Sequence, residues 1–124
     1  MTQAFIGDAF YELHVRRRLA DSGKGYTADK LHLNAVRYVK ASSQSKAIHT
    51  MIDEGILSDE ELDIVRRARN RKPKAVPKNS DILEYKFATA LEALVGYHYM
   101  EGRAGRAEEL AEIAMQMIDE SALK

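Results

Sequence analysis

Two acidic residues border apolar stretches of this sequence. Asp8 follows Gly7 in a segment whose apolar residues recur at helical spacing, and Glu92 is the only charged residue between Phe87 and Tyr99. An ionised carboxylate beside an apolar core is costly unless it has a partner. A divalent cation is one such partner, because hard cations such as Mg²⁺ take oxygen ligands and keep several waters. We therefore expect Asp8 and Glu92 to share a cation, with Gly7 and Gly96 letting their two helices approach closely.

A basic segment accompanies these acids. Seven basic residues and no acid lie between Arg66 and Lys78, although the whole chain has 19 basic and 19 acidic residues. Such a local concentration of positive charge can bind a polyanion, and contacts to phosphates would position a nucleic acid without reading its bases. Acids with bound metal beside a phosphate-binding segment are what phosphodiester hydrolysis needs. The residues that we expect to contact phosphates are Arg69, Arg71, Lys72, Lys74 and Lys78.

Helical signals predict the elements that position these residues, and no alternating strand pattern competes with them. The first predicted helix covers residues 2–20, the second runs from a Thr27 cap to about residue 40, and the third runs from a Ser42 or Ser43 cap to Gly55. The fourth runs from Ser58 to about residue 70, and the fifth from an Asn79 or Ser80 cap to about residue 100. The sixth follows a turn at residues 101–105 and ends at about residue 119. Ser58 with Glu61 three residues later is a capping-box pattern. Pro73 and Pro77 exclude a helix from residues 71–79, which we expect to form an exposed, mobile loop. The prediction is a single all-α domain over residues 1–124.

Composition narrows the classes of function. The chain has 124 residues and no cysteine, which excludes disulfides and thiolate metal sites. No apolar run approaches the ~20 residues needed to span a bilayer. The first residues lack the basic and then apolar pattern of a signal peptide. We therefore expect a cytoplasmic protein that does not act in a membrane.

Two segments resemble motifs of a known family. Residues 5–13, FIGDAFYEL, resemble the signature helix of the ribonuclease III catalytic domain, and residues 90–99, ALEALVGYHY, resemble the second acidic helix of that domain. The length, and the segment 66–70 followed by Pro77 and Lys78, resemble the short bacterial branch of the family, Mini-ribonuclease III, which lacks a double-stranded RNA-binding domain. The resemblance covers nearly the whole chain.

The resemblance implies a homodimeric endoribonuclease that uses Mg²⁺, with Mn²⁺ as a substitute, to cleave double-stranded RNA and leave 5′-phosphate and 3′-hydroxyl ends. It makes Asp8 and Glu92 the catalytic, metal-binding acids. It makes Phe5 a dimer-interface residue that packs into a socket on the partner subunit. It also suggests a precursor of the large ribosomal RNA as the substrate, with a ribosomal protein as a further partner.

The sequence departs from the larger enzymes of the family at three positions. Ala4 and Thr89 stand where those enzymes carry acids, and Gln44 lies roughly where another acid is expected. The short branch shares this reduced acid set. Glu12, one helical turn after Asp8, could orient a water but is more typical of a surface salt bridge. Glu12, Gln44 and Thr89 are therefore secondary candidates for the site.

Other interpretations of the same residues stay open. Asp8 could simply be stabilised near a helix start, and Glu92 could pair with a basic residue of another helix. The basic segment could be a solvated loop, and His14 with His98 would form a metal-free acid–base pair. Two other classes of function compete with hydrolysis. One is a non-catalytic RNA-binding or ribosome-associated protein, and the other is a structural helical dimer.

Overall fold

The chain folds into six α-helices. The structure, a computed structural model, describes residues 2–72, 76 and 78–122. The helices are α1 (Thr2–Ala20), α2 (Ala28–Val39), α3 (Ala41–Asp53), α4 (Asp59–Arg69), α5 (Ile82–Met100) and α6 (Ala104–Ala122). Strands are absent from the described residues. The all-α prediction is confirmed.

Side-chain caps and a glycine set several helix ends as predicted. The Thr27 hydroxyl accepts a hydrogen bond from the Lys30 N–H at 3.3 Å at the start of α2. Before α4, the Glu61 N–H donates to the Ser58 hydroxyl at 3.2 Å, and the Ser58 N–H donates to the Glu61 carboxylate at 2.9 Å. This reciprocal pair is a capping box. Gly55, just past α3, has a φ of 69°, which glycine adopts without strain.

The predicted cap of α3 is wrong. The helix begins at Ala41, so Ser42 and Ser43 lie inside its first turn, and Lys40 is the N-cap without a side-chain hydrogen bond. The reason is that α2 and α3 are separated by a single extended residue. The Lys40 N–H closes α2 on the carbonyl of Val36 at 3.0 Å, and the Lys40 carbonyl accepts the first backbone hydrogen bonds of α3.

The cap of α5 was also predicted wrongly, and α6 is longer than predicted. Asp81 begins α5, because its carboxylate accepts from the Glu84 N–H at 3.1 Å. Asn79 instead has a left-handed backbone with a φ of 69°, and Ser80 precedes the cap. The sixth helix runs to Ala122. Pro73 and Pro77 lie outside the described residues, so the predicted loop is described only in part.

Helix α5 forms the centre of the fold, with α1, α3, α4 and α6 packed around it. A helix that is surrounded in this way must be apolar on most of its faces. The run from Phe87 to Tyr99 meets this requirement, and Leu91, Leu94 and Val95 are fully buried. No helix in the described residues has the length and apolarity needed to cross a membrane. Glu92 therefore lies on the helix that contacts most of the rest of the domain.

Candidate active site

Two glycines bring the backbones of α1 and α5 into direct contact beside the two acids. A Cβ atom on Gly7 would lie 1.7 Å from the backbone oxygen of Glu92, and a Cβ atom on Gly96 would lie 1.8 Å from the backbone oxygen of Gln3. No larger residue fits at either position without separating the helices. The predicted close approach at Gly7 and Gly96 is therefore present. Asp8 follows Gly7 directly, so the crossing places it beside Glu92.

The carboxyl groups of Asp8 and Glu92 are close enough to share a hydrogen bond. Burial of Glu92, together with the charge of Asp8 and that hydrogen bond, raises the pKa of Glu92 to about 8. The sequence left open whether Glu92 pairs with a basic side chain instead, and the described residues contain no ion pair to it. The structure thus brings the two predicted acids together, and no basic side chain of the described residues compensates the charge of Glu92.

The secondary candidates differ in exposure and in their effect on the pKa of Glu92. Gln44, in the first turn of α3, is 2% exposed, and Nε2 donates a hydrogen bond to the backbone carbonyl of Val39 at 2.8 Å. Its side-chain amide lowers the pKa of Glu92, against the larger effects of burial and of Asp8. Glu12 forms an ion pair with Arg16 at 3.4 Å, and its charge slightly raises the pKa of Glu92. Thr89, one turn before Glu92 on α5, is half-buried. Of the three, Gln44 therefore has the largest effect on the acid pair.

This set of side chains fits a divalent cation. Asp8 and Glu92 offer carboxylate oxygens, which are the hard ligands that Mg²⁺ prefers. The Oε1 atom of Gln44 is buried and has no hydrogen-bond partner among the residues that the structure describes. Within the same ranges, no group of three or more His, Cys, Asp or Glu side chains could hold a metal. The arrangement suits a cation that keeps most of its water.

The predicted phosphate contacts divide into two kinds. Arg71, Lys72 and Lys78 are exposed, as contacts to an external polyanion require. Arg69 is half-buried, and its guanidinium lies over the ring of Phe87, 5.5 Å from the ring centroid. Because Phe87 belongs to α5, this contact connects Arg69 to the helix that carries Glu92. Lys74 lies outside the described residues.

The two histidines of the metal-free alternative are engaged separately. Nε2 of His14 lies 2.9 Å from a carboxylate oxygen of Glu112 on α6. Nε2 of His98 lies 2.7 Å from a carboxylate oxygen of Glu61, and this pair is buried. Because each histidine is held by a different glutamate, the structure gives no support to an acid–base pair made of the two.

Glu61 is the centre of a buried polar cluster that sequence reasoning missed. Arg106 donates to both of its carboxylate oxygens at 2.9 Å, and Arg103 donates to Nδ1 of His98 at 3.0 Å. Burial opposes ionisation of Glu61, but hydrogen bonds from Arg106, Ser58 and His98 lower its pKa to about 2. The cluster ties the start of α4 to α5 and α6, and so holds the helix of Glu92 in place. The capping box was the only sequence signal for Glu61, since its partner Arg106 is 45 residues away.

Phe5, the predicted dimer-interface residue, projects from α1. Its side chain is 78% exposed, and Leu13, two turns along the same helix, is 66% exposed. Large apolar side chains that remain in water on one helix are a common feature of surfaces that bind a partner.

Comparison with known proteins adds an independent finding. The family model of the ribonuclease III domain matches residues 2–103. The Mini-ribonuclease 3 of Symbiobacterium thermophilum is 42% identical over 119 residues, which are 96% of this chain and 89% of that protein. The Mini-ribonuclease 3 of Thermoanaerobacter sp. is 41% identical, with 94% of this chain and 80% of that protein covered. A crystal structure of a Fusobacterium nucleatum protein superimposes with a TM-score of 0.79 at 32% identity, covering 92% of this chain and 88% of the other.

Proposed function

The chain belongs to the ribonuclease III domain family, and from this premise we propose that it hydrolyses double-stranded RNA with a divalent cation held between Asp8 and Glu92. Family membership makes the chain an endoribonuclease. The cation and the roles of the two acids are our proposal. The observation that supports it most directly is the contact between two carboxyl groups, one of them with its pKa raised to about 8, at a glycine crossing of two helices.

The two acids have different environments, which suggests different tasks. Asp8 is exposed, so it can meet both a cation and the RNA backbone. Glu92 is half-buried and fixed on the central helix, so it anchors the cation against the domain. The carboxylate ligands of a cation must be ionised, so Glu92 has to lose its proton when the cation binds. Its raised pKa opposes this loss. When bound, Mg²⁺ or Mn²⁺ would neutralise the scissile phosphate, favour hydroxide formation and stabilise the leaving oxygen.

The test is cleavage of a long RNA duplex with Mg²⁺ and with EDTA. The proposal expects cleavage only with Mg²⁺, with 5′-phosphate and 3′-hydroxyl products. We expect Asp8→Asn and Glu92→Gln each to reduce the rate by at least about 100-fold, since each removes a charge from the cation site. Glu120→Gln, an exposed change on α6, is the control and should cleave normally. Retained cleavage in both site variants would contradict the proposal, and duplex binding without cleavage by the unaltered protein would favour a non-catalytic RNA-binding role.

The exposed basic residues Arg71, Lys72 and Lys78 would bind the duplex through its phosphates. Each lost phosphate contact should reduce the slope of log affinity against log salt by about 0.9. We therefore propose the triple alanine variant of these residues, with duplex binding measured without divalent cations over a range of monovalent salt. Lys24→Ala with Lys30→Ala is the control, because both lysines are exposed on another part of the chain. An unchanged salt slope in the triple variant would remove the segment from the RNA interface.

A homodimer would cover the exposed apolar side chain of Phe5. Burying a phenylalanine stabilises a contact by about 1.5–3 kcal/mol per subunit. We therefore expect Phe5→Ala to weaken self-association by at least tenfold in sedimentation velocity, without a loss of helix content in circular dichroism. A monomer at all concentrations of the unaltered protein would rule out this role for Phe5.

The natural substrate that we propose is a duplex within a precursor of the large ribosomal RNA, cleaved in the cytoplasm with the help of a ribosomal protein. The family resemblance supports this choice. The test compares cleavage of a precursor duplex with cleavage of a scrambled duplex of equal length, each with and without ribosomal proteins. Equal cleavage rates in all four reactions would contradict a dedicated role in ribosomal RNA maturation.

A further inference from the structure

A cleft with a positively charged lining lies where the end of α2, the start of α3 and the end of α6 meet. Its volume is about 580 Å³, which is within the range of ~300–1,000 Å³ that small-molecule sites usually have. Arg37, Lys40 and Lys46 line it, and the lining residues that the structure describes include no acid. Because the whole chain has 19 basic and 19 acidic residues, the cleft is a local excess of positive charge that favours an anion.

The three cations of the cleft are held differently. The guanidinium of Arg37 lies 2.8 Å from a carboxylate oxygen of Asp119, which is outside the cleft, and 5.1 Å from the centroid of the Tyr38 ring. Lys40 and Lys46 are exposed, and neither forms an ion pair with another residue that the structure describes. Arg37 is therefore a fixed part of the lining, while the charges of the two lysines are available to a ligand.

Two buried serines supply hydroxyl groups to the same cleft. Ser43 and Ser45 both line it, although they are only 8% and 6% exposed. Neither hydroxyl makes a hydrogen bond to another described residue, whereas the nearby Thr50 hydroxyl donates to the carbonyl of Lys46 at 2.9 Å. Buried polar groups nearly always have a hydrogen-bond partner. A ligand with several acceptor oxygens would provide partners for both hydroxyls.

The start of α3 adds backbone donors at this place. Lys40 is the N-cap without a side-chain hydrogen bond, and the first backbone hydrogen bond of the helix is donated by the Ser43 N–H to the Lys40 carbonyl. The N–H groups of Ala41 and Ser42 precede that bond and have no side-chain cap, and Ser42 lines the cleft. Uncapped N–H groups at the positive end of a helix dipole are well suited to phosphate oxygens.

Another part of the lining is apolar. Met117 and Ile118 of α6 contribute to it, together with Ala47 of α3. An inorganic phosphate ion would leave these side chains in contact with water. A larger ligand could cover them and gain from the burial of apolar surface.

We propose that this cleft binds a small phosphorylated molecule, whose phosphoryl group lies against the start of α3, Ser43 and Ser45, and whose apolar part lies against Met117 and Ile118. Nucleoside monophosphates combine these two chemical features. A nucleic-acid duplex fits less well, because its phosphates can reach exposed side chains but not hydroxyls that are more than nine-tenths buried. The site uses neither Asp8 nor Glu92, so it does not depend on the proposed function.

The experiment measures binding of adenosine 5′-monophosphate to the full chain from its ¹⁵N spectrum, in EDTA and without RNA. The ligand should bind saturably and shift the backbone amide signals of Ala41 and Ser42. Adenosine lacks the phosphoryl group and inorganic phosphate lacks the apolar part, so each should bind at least about tenfold more weakly. Absence of saturable binding would overturn the proposal, and so would binding of inorganic phosphate as tight as that of the nucleotide.

The serine variants test the buried hydroxyls. Ser43→Ala and Ser45→Ala should each weaken nucleotide binding by about tenfold, which is the usual effect of one hydrogen bond to a charged group. Both changes are small and should leave the helix content in circular dichroism unchanged. Unchanged affinity in both variants would contradict the placement of the phosphoryl group.

The lysine variants test the charge of the cleft. Lys40→Gln combined with Lys46→Gln should weaken nucleotide binding by at least about tenfold at low salt, because two nearby charges are lost. Lys24→Gln combined with Lys30→Gln removes the same charge from exposed residues outside the cleft and is the control. Equal losses in the two double variants would show a general effect of net charge and overturn the site.

A duplex-binding measurement in EDTA distinguishes this cleft from an RNA surface. Ser43→Ala should leave the affinity for a long RNA duplex unchanged, because a duplex does not reach its hydroxyl. A loss of duplex affinity as large as the loss of nucleotide affinity would assign the cleft to RNA and overturn the proposal of a small ligand.

Discussion

The stability of the cation-free protein should depend on pH through Glu92. Burial, then the charge of Asp8 and the hydrogen bond with it, raises the pKa of Glu92 from 4.5 to about 8. The folded state therefore holds the proton more tightly than the unfolded state. The resulting stabilisation is fully present below about pH 4.5 and is lost as the pH rises through about 8. Glu92→Gln removes the titration and should remove this pH dependence with it.

The magnitude follows from the difference between the two pKa values. From 4.5 to about 8 is about 3.5 pH units, and ~1.36 kcal/mol per pH unit gives an upper limit of ~5 kcal/mol. The coupling to Asp8 and the adjustment of neighbouring side chains reduce this figure, so we expect ~2–4 kcal/mol between pH 5 and pH 8. A difference of that size is a large part of the ~5–15 kcal/mol that usually stabilises a domain.

Urea unfolding in EDTA, followed by circular dichroism, measures the effect. The free energy of unfolding is determined at pH 5, 6.5 and 8 for the unaltered chain, Glu92→Gln and the exposed control Glu120→Gln. Other groups titrate over the same interval, but they are shared by all three proteins and cancel in the differences. We expect Glu92→Gln to gain ~2–4 kcal/mol relative to the unaltered chain as the pH rises, and the control to follow the unaltered chain.

Parallel unfolding curves for the unaltered chain and Glu92→Gln, within ~0.5 kcal/mol at every pH, would refute this reasoning. A second outcome concerns the cation. At pH 8, Mg²⁺ should stabilise the unaltered chain more than Glu92→Gln, because a ligand that binds only the folded state stabilises it by mass action. Equal stabilisation of the two proteins would show that Mg²⁺ binds elsewhere.

Three further predictions concern the scaffold, each measured as the free energy of unfolding in urea. Gly96→Ala should destabilise the domain by ~3 kcal/mol or more, because the added Cβ would lie 1.8 Å from the backbone oxygen of Gln3. The control Gly105→Ala, whose Cβ would meet nothing within 4 Å, should be neutral or stabilising by up to ~1 kcal/mol, and similar effects at the two positions would contradict the crossing geometry. Arg106→Met should lower the free energy of unfolding by ~3–5 kcal/mol, because it leaves the buried Glu61 carboxylate without its main partner. A decrease of less than ~1 kcal/mol would mean that this ion pair is exposed to water in solution. Ser58→Ala should remove the α4 cap for a loss of ~1 kcal/mol, and an unchanged stability would show that the capping box does not hold in solution.

The parts of this fold that the sequence predicted are those with a local physical cause. The capping box at Ser58 needs only two side chains three residues apart, so it can be recognised without knowing the fold. The apolar run around Glu92 predicted that this acid lies beside the core, and α5 has no continuous polar face because other helices cover most of its sides. The glycines at positions 7 and 96 predicted a close crossing, and both are in backbone contact with the opposite helix.

The parts that the sequence did not predict depend on tertiary geometry. The start of α3 is set by a single extended residue, Lys40, rather than by the serines that follow it, and no local preference distinguishes these choices. Glu61 and Arg106 meet only because α4 and α6 both pack near the end of α5. Gln44 was suggested by a loose alignment, but its burial and its unsatisfied Oε1 could come only from the packed structure.

The way the acid pair is built explains how a reduced set of acids could still bind a cation. Backbone-to-backbone contact at Gly7 and Gly96 fixes the separation of α1 and α5 without side chains between them, so the backbone itself sets how close Asp8 and Glu92 lie. The same close packing limits the access of water to Glu92 and raises its pKa, which disfavours the ionised acid when it is alone. Where water is excluded, however, the attraction between a carboxylate and a divalent cation is also stronger. The contact that makes Glu92 a poor isolated anion would therefore make it a strong ligand for the proposed cation, and a site built in this way would need fewer charged groups around it.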